Sequence, residues 1–435
     1  MIETKNWISN FFLEWGIKVR KRWRRFLTGA MTVLFAMGFA CGAEVLAADP
    51  SVILPTGDSA ERIPPDKLKK ITAAAAAEMN ASMKAYVPSE DTLIHNNAQT
   101  YYYYEQLDPT AKEIYDVMLM IAKDPVTQDN LGVMMTDMDP GSEEYYYEML
   151  CAYYAMTYDH PELFWLYCGT ETTISFYSEL MNMNGIYLVY YGLSEPYAKY
   201  ETQMTAFNQA AEEFLKDIDK TASDYEIAKQ IHDKLIDLVT YDNHVLENMD
   251  TQGQNLAHTA YGALVANTEG SSNYAVCDGY ALAYEYLLQQ CGIEAVVIGG
   301  DAGSDEFSTG GHAWNLVKLD GVWYEADPTW DDAGTIEAGL SSDVEGYSYY
   351  CEALNDQEYR EKLQHYMFLL STENLRNYVP DDSFTYNSND GRYWVRLVGE
   401  SVHIRWDNSG LPEPRNADPT VLSLAPVAAA NYQKF

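Results

Sequence analysis

A cysteine, a histidine and an aspartate stand in that order at positions 277, 312 and 327, separated by 35 and 15 residues. Thiol, imidazole and carboxylate are the groups that nucleophilic acyl transfer needs. The sulfur attacks, the base takes its proton, and the acid holds the base in one tautomer. Cys277 lies in the run 270–280, a polar loop that leads into a helix. Ala281, Tyr284, Leu288 and Cys291 recur at the spacing of one buried face, and Gly292 falls where a left-handed C-terminal cap belongs. Cys277 therefore occupies the first turn. There, free backbone N–H groups and the helix dipole stabilise a thiolate and can form half of an oxyanion hole. Taken alone, such a cysteine reads more readily as a small buried core residue.

The histidine and the aspartate change that reading. The spacing predicts a strand over 294–298, a Gly-rich loop over 299–311, and two further strands on either side of Asp320-Gly321. Asp-Gly between alternating apolar runs is a strong hairpin signal. With a two-residue turn, Leu319 pairs with Val322, and counting outward sets Trp314 opposite Asp327. His312 shares the face of Trp314 and becomes the diagonal neighbour of Asp327, with Cβ atoms about 7–8 Å apart or less. An exposed His–Asp pair adds little stability. A base aligned by a carboxylate and facing a thiol is the better reading. Trp314, Trp323 and Trp330 read as packing around it.

The elements that must hold these groups follow from periodicity and caps. Asp108-Pro109 opens one helix and Ser142 opens a second, Tyr-rich one. A hairpin turning at Asn184-Gly185 comes next, and then a long helix over about 201–218. Ser223-Asp224-Tyr225-Glu226 is a capping box ahead of Ile227, Ile231, Leu235 and Leu238. Further on, 362–374 is expected to be helical. The run 392–406 reads as a two-strand ribbon turning near Gly399, and residues after about 410 as a Pro- and Ala-rich disordered tail.

Three blocks carry a resemblance to a known family. They are Val276-Cys277-Asp278-Gly279-Tyr280-Ala281, Gly311-His312-Ala313-Trp314-Asn315, and 323–331, which contains Asp327-Pro328-Thr329-Trp330-Asp331. Together with Ile231-His232-Asp233, Thr240-Tyr241-Asp242 and 258–264, they resemble the transglutaminase-like superfamily in its bacterial, exported form, over about 220–375. The resemblance implies an α+β fold with a papain-like core, in which the helix bearing the nucleophile packs on an antiparallel sheet. It also implies a Cys277–His312–Asp327 triad and, by place in the family pattern, Tyr241 as the second oxyanion donor. His258 is expected to be structural. Tissue cross-linking members carry Trp directly after the nucleophile, flanking β-domains and calcium sites; here Asp278 follows Cys277. The resemblance thus favours a peptidase or amidase over a cross-linking enzyme, acting on a protein or peptide substrate that includes cell-wall-associated ones. The competing class is a non-catalytic cell-surface or cell-wall binding module that keeps the fold. No metal or organic cofactor is expected, and the acids Asp331-Asp332 read as a solvated turn.

Charge and length complete the expectation. With 435 residues the chain is long enough for two or three domains. Lys5, Lys18, Arg20, Lys21, Arg22, Arg24 and Arg25 precede the apolar run 26–43 and the small residues up to Ala48. That is the pattern of an export signal cleaved after Ala47 or Ala48, or of a short membrane anchor. The expected location is therefore secreted or at the outer surface, with the membrane touched only through this segment. A net charge of −37 argues against nucleic acid as a partner. Beyond the signal, Cys151, Cys168, Cys277, Cys291 and Cys351 form an odd set, so at least one thiol stays unpaired within the chain. The expected organisation is 1–48 signal or anchor, 49–97 linker, 98–200 a smaller, mostly helical unit, 201–380 catalytic domain, and 381–435 ribbon and tail.

Overall fold

The computed structural model describes residues 90–126, 131–166, 176–183, 185–193, 196–243, 256–265, 273–332, 347–387, 394–405 and 426–433, with a few positions at 70–77 and 391. The expected export segment lies outside these residues. Among the described residues, no helix is long and apolar enough to cross a membrane.

The first part holds helices α1 (Tyr102–Gln106), α2 (Pro109–Ala122) and α3 (Glu143–Asp159). Pro109 sits at the first position of α2, where its missing N–H is no loss. Ser142 caps α3 by accepting from the Tyr145 N–H at 3.1 Å. The helices pack beside an antiparallel sheet of order β1-β3-β2, from β1 (Leu131–Thr136), β2 (Phe176–Met183) and β3 (Ile186–Leu193). Met183 pairs with Ile186, so β2 and β3 form the expected two-residue hairpin. Strand β1 was not foreseen. Its Leu-Gly-Val-Met-Met-Thr sequence lacks alternation, and contact with α2 and β3 makes it a strand.

Next come α4 (Tyr200–Leu215) and α5 (Asp224–Leu238), the latter capped by Ser223 accepting from the Glu226 N–H. Strand β4 (Val239–Tyr241) runs parallel to β5 (Asn273–Ala275), with the short helix α6 (Ala260–Leu264) between them in sequence. Helix α7 (Cys277–Gln290) follows, and then β6 (Ala295–Gly303), β7 (Thr309–Leu319), β8 (Val322–Ala326) and α8 (Pro328–Asp331). The remainder comprises α9 (Tyr347–Leu354), α10 (Gln357–Leu363), α11 (Thr372–Arg376), β9 (Asn377–Tyr378), β10 (Thr385–Asn387), β11 (Trp394–Arg396) and β12 (Ser401–Arg405).

The main sheet has order β8-β7-β6-β12-β9 and is antiparallel throughout. Helix α7 lies against β6 and β7. Its sequence marks one apolar face, but in the fold the helix is buried on nearly every side, from Gly279 to Gln289. Helices α5 and α6 supply most of the extra cover, and the N-terminal part adds to it. Tyr103 donates to the Val297 carbonyl, Tyr286 donates to the His95 carbonyl at 3.0 Å, and one continuous apolar core runs from Tyr103 to Ala428. Each fully buried Leu or Ile in that core, such as Leu287, Leu288 and Ile298, contributes on the order of 1.5–3 kcal/mol.

Four expectations are corrected. The stretch 299–311 is mostly strand, because β6 runs on to Gly303 and β7 begins at Thr309. The helix expected over 362–374 is broken. Between α10 and α11 the backbone is used elsewhere: Leu370 exchanges hydrogen bonds with Glu325, the Met367 carbonyl accepts from the Asp327 N–H, and Leu369 has φ +57°. The ribbon over 392–406 does not pair with itself. β11 pairs with β10, whereas β12 inserts between β6 and β9. Part of the tail is also docked rather than loose. Ala428 accepts from the Thr372 N–H, and Tyr432 stacks on Tyr225 at 4.6 Å.

Gly279 marks the tightest packing on the first turn of α7. A Cβ there would lie 2.3 Å from the Ala257 carbonyl oxygen and 2.9 Å from the Ala275 Cβ. In an exposed helix Gly→Ala stabilises by about 1 kcal/mol. Here overpacking of about 1–3 kcal/mol should win, so Gly279→Ala is expected to lower the melting temperature. An unchanged or raised melting point would show that the 256–258 turn yields freely.

Candidate active site

The β7–β8 hairpin aligns the histidine and the acid. Asp320 and Gly321 have φ +50° and +80°, the left-handed pair that a two-residue turn requires, and Leu319 pairs with Val322. The register continues to Asn315 opposite Ala326, which puts Asp327 one position beyond, across from Trp314. His312 Nε2 donates to Asp327 Oδ2 at 2.6 Å, the diagonal contact expected from counting. Trp314 is fully buried, stacks beside His312 at 5.9 Å, and donates from Nε1 to Glu325 Oε2 at 2.7 Å.

Cys277 begins α7, after Val276 at the N-cap, and is 7% exposed. Its thiol lies near enough to the His312 ring to help raise that ring's pKa. With Nε2 held by Asp327, Nδ1 of that ring is left for the thiol. Burial pulls the His312 imidazole down in pKa, but the Asp327 carboxylate, helped by Cys277, raises it to about 10. Burial pushes Asp327 up, yet His312 and a second imidazole hold it well below the usual carboxylate range. The three groups therefore form one polarised chain of sulfur, imidazole and carboxylate. Such a chain can remove the thiol proton and later return it to a departing amine. Among the described residues, Cys151, Cys277, Cys291 and Cys351 are all free thiols.

The second imidazole is His403, which the sequence reading did not single out. It reaches the site from β12, donating from Nε2 to Asp327 Oδ2 at 3.0 Å, and packs edge-on against Trp314 and Trp330. Burial lowers its pKa. Asp327 Oδ1 is occupied as well, because Asp327 caps α8 and accepts from the N–H groups of Thr329 and Trp330 at 3.0 and 3.1 Å. The only sequence hint of His403 was a polar ring between Val402 and Ile404 in a short strand.

Tyr241 is carried beside the nucleophile by the parallel pairing of β4 with β5, which sets it opposite Ala275. Burial, and then the charges of Cys277, Asp278 and Asp327, push its phenol well above 10, so it stays a proton donor. His258 bonds to Asp278 Oδ2 at 2.7 Å, next to the nucleophile in sequence rather than on it. Asp331 and Asp332 are not a solvated turn, since both are buried. Asp331 Oδ2 pairs with His232 Nε2 at 3.1 Å, and Asp332 Oδ2 accepts from the Tyr280 hydroxyl at 2.7 Å.

The segment from α4 to the start of α8 matches a known family. Residues 212–328 fit the model of the transglutaminase-like superfamily. This chain carries a transglutaminase-like core. Among curated proteins, kyphoscoliosis peptidase of Mus musculus is 33% identical over 72 residues, 15% of this chain and 11% of that protein. Its Homo sapiens counterpart is 34% identical over 61 residues, 12% of this chain and 9% of that protein. The matched stretch thus spans about a tenth of these relatives. A solved structure described as that of a TGase is 15% identical, with a TM-score of 0.25, covering 50% of this chain and 56% of that one. His403 lies beyond the matched segment, so the transglutaminase-like core is completed by a strand from outside it.

The paired charges give stability a defined pH dependence. The depressed Asp327 contributes above about pH 4 and loses its contribution as pH falls further. The raised His312 contributes fully below about pH 6.5 and loses its contribution as pH climbs toward about 10. Both describe one interaction, which is strongest between those limits. The melting-point difference between wild type and Asp327→Asn should therefore be largest near pH 5–6 and shrink steadily toward pH 10. A difference that stays flat over that range would mean that the pair is not ionised.

Proposed function

We propose that the transglutaminase-like core is a thiol enzyme that cleaves amide bonds of protein or peptide substrates through Cys277, His312 and Asp327. The observation that carries this reading is the 2.6 Å bond from His312 to the buried Asp327 carboxylate, with the Cys277 thiol at the start of α7 near the same ring. The thiolate attacks the carbonyl carbon. The electron pair moves to oxygen, which the N–H groups at the start of α7 and the protonated Tyr241 phenol stabilise. Collapse of the tetrahedral species expels the amine, which takes its proton from His312, and leaves a thioester on Cys277. His312 then draws a proton from water, whose oxygen attacks the thioester; collapse releases the carboxylic acid and expels the sulfur, which takes that proton back from His312. Asp327 keeps the imidazolium aligned through both steps.

Hydrolysis is preferred to amine transfer because Asp278 occupies the position that follows the nucleophile, where cross-linking relatives carry tryptophan. The proposed setting is outside the cell, reached through the export pattern of residues 1–48.

Two measurements test the reading. Iodoacetamide should label Cys277 ahead of Cys151, Cys291 and Cys351, and Cys277→Ala should lower peptide or amide turnover by at least about a thousandfold. Turnover that survives in Cys277→Ala would remove the nucleophile assignment. Offering a glutamine-bearing protein together with a labelled primary amine separates the two outcomes. Release of free acid or cleaved peptide supports hydrolysis, whereas amine incorporation without cleavage would reassign the core to transamidation.

A further inference from the structure

A second histidine cluster lies behind the acid of the site. His232 and Asp233 sit on α5, and His365 follows α10. His232 Nδ1 is 3.1 Å from Asp233 Oδ1, His365 Nε2 is 2.6 Å from the same oxygen, and the three atoms lie within 4.8 Å of one another. The opposite nitrogens are held by acceptors. His232 Nε2 meets Asp331 Oδ2 at 3.1 Å, and His365 Nδ1 meets the Glu361 carbonyl at 2.7 Å. Asp233 Oδ2 is held by Lys229 at 2.7 Å.

Hydrogen-bond accounting decides what this arrangement is suited for. Every ring nitrogen of the two histidines faces an oxygen. One of them, His232, is completely buried, where a cation is costly. A divalent metal held between the two nitrogens that face Asp233 would bind both rings as neutral ligands. Each then donates its remaining N–H to a carboxylate or a backbone carbonyl, the support that metal-binding histidines ordinarily have. Zinc bonds of about 2.0–2.2 Å place ligand atoms roughly 3.3 Å apart, so the 3.1 Å separation is nearly right and the 2.6 Å one must open by about 0.7 Å.

We propose that His232 Nδ1, Asp233 Oδ1 and His365 Nε2 form a binding site for a divalent metal of the zinc class. Two imidazoles and one carboxylate are a zinc-type donor set. A cleft of ≈ 400 Å³ bordered by Lys229, Glu361 and His365 adjoins the cluster. The Lys229 ammonium tempers affinity, and Glu361, 3.0 Å from Lys229, offsets it. Through Asp331 the metal would tie α5 and the 365 turn to α8, the helix that Asp327 caps. The site is structural and independent of the proposed reaction.

The test uses the full chain, stripped with chelator and titrated with Zn²⁺ alone by calorimetry, with bound metal counted by elemental analysis. One equivalent at micromolar affinity or tighter is expected, with a rise in melting temperature on loading. His365→Gln keeps an amide able to bond to Asp233 but loses the ring ligand, and should weaken zinc binding at least about a hundredfold. Asp233→Asn should do likewise. His365 and Asp233 are only partly buried, so these variants avoid the folding risk of changing His232. Absence of a stoichiometric site overturns the proposal. Binding that persists in His365→Gln but disappears in His312→Gln overturns it too, because the metal would then lie at His312, Asp327 and His403, the other three-residue group with ligand spacing among the described residues.

Discussion

The Asp327 carboxylate is the constraint on which the rest depends. It is fully buried and accepts four hydrogen bonds, two from backbone N–H groups of α8 and two from imidazoles on separate strands. A buried charge left short of partners costs several kcal/mol. The fold satisfies it by bringing β7, β12 and α8 to one point. That convergence also sets the histidine beside the thiol, so the group that aligns the base is the one that fixes the geometry of the surrounding sheet.

The second constraint is the burial of α7. A helix bearing a nucleophile gains orientation when it cannot shift, and α7 is held by the sheet, by α5 and α6, and by the Tyr286 bond to the His95 carbonyl. Its close contact with the 256–258 turn depends on Gly279, and its C-terminus is closed by Gly292 with φ +79°. The N-terminal part is therefore a wall of the same core. Tyrosines do much of this work, since Tyr103, Tyr280, Tyr284 and Tyr286 each bury a ring while the hydroxyl finds an acceptor.

Local signals were legible where local physics decides. Ser142 and Ser223 cap the helices that follow them, and Asp320-Gly321 turns the hairpin in the register that counting gives. The same counting brought His312 to Asp327. Elements settled by remote partners were not legible. β1 is a strand because α2 and β3 border it, the expected 362–374 helix yields to pairing with β8, and β12 inserts into the main sheet instead of folding back on β11. Asp331 and Asp332 looked like exposed turn acids until His232 and Tyr280 supplied their partners.

By itself the sequence determined the thiol at a helix start, the imidazole and acid on one hairpin face, and the family pattern that joins them. Periodicity, caps and turn chemistry act over a few residues, and a hairpin register is countable along the chain. Only the tertiary structure decided that a second imidazole would share Asp327, and that His232, Asp233 and His365 would gather behind it. His403 lies 76 residues from Asp327 and His365 lies 132 from Asp233, and what unites them is the need of buried charge for neighbours, which no local spacing records.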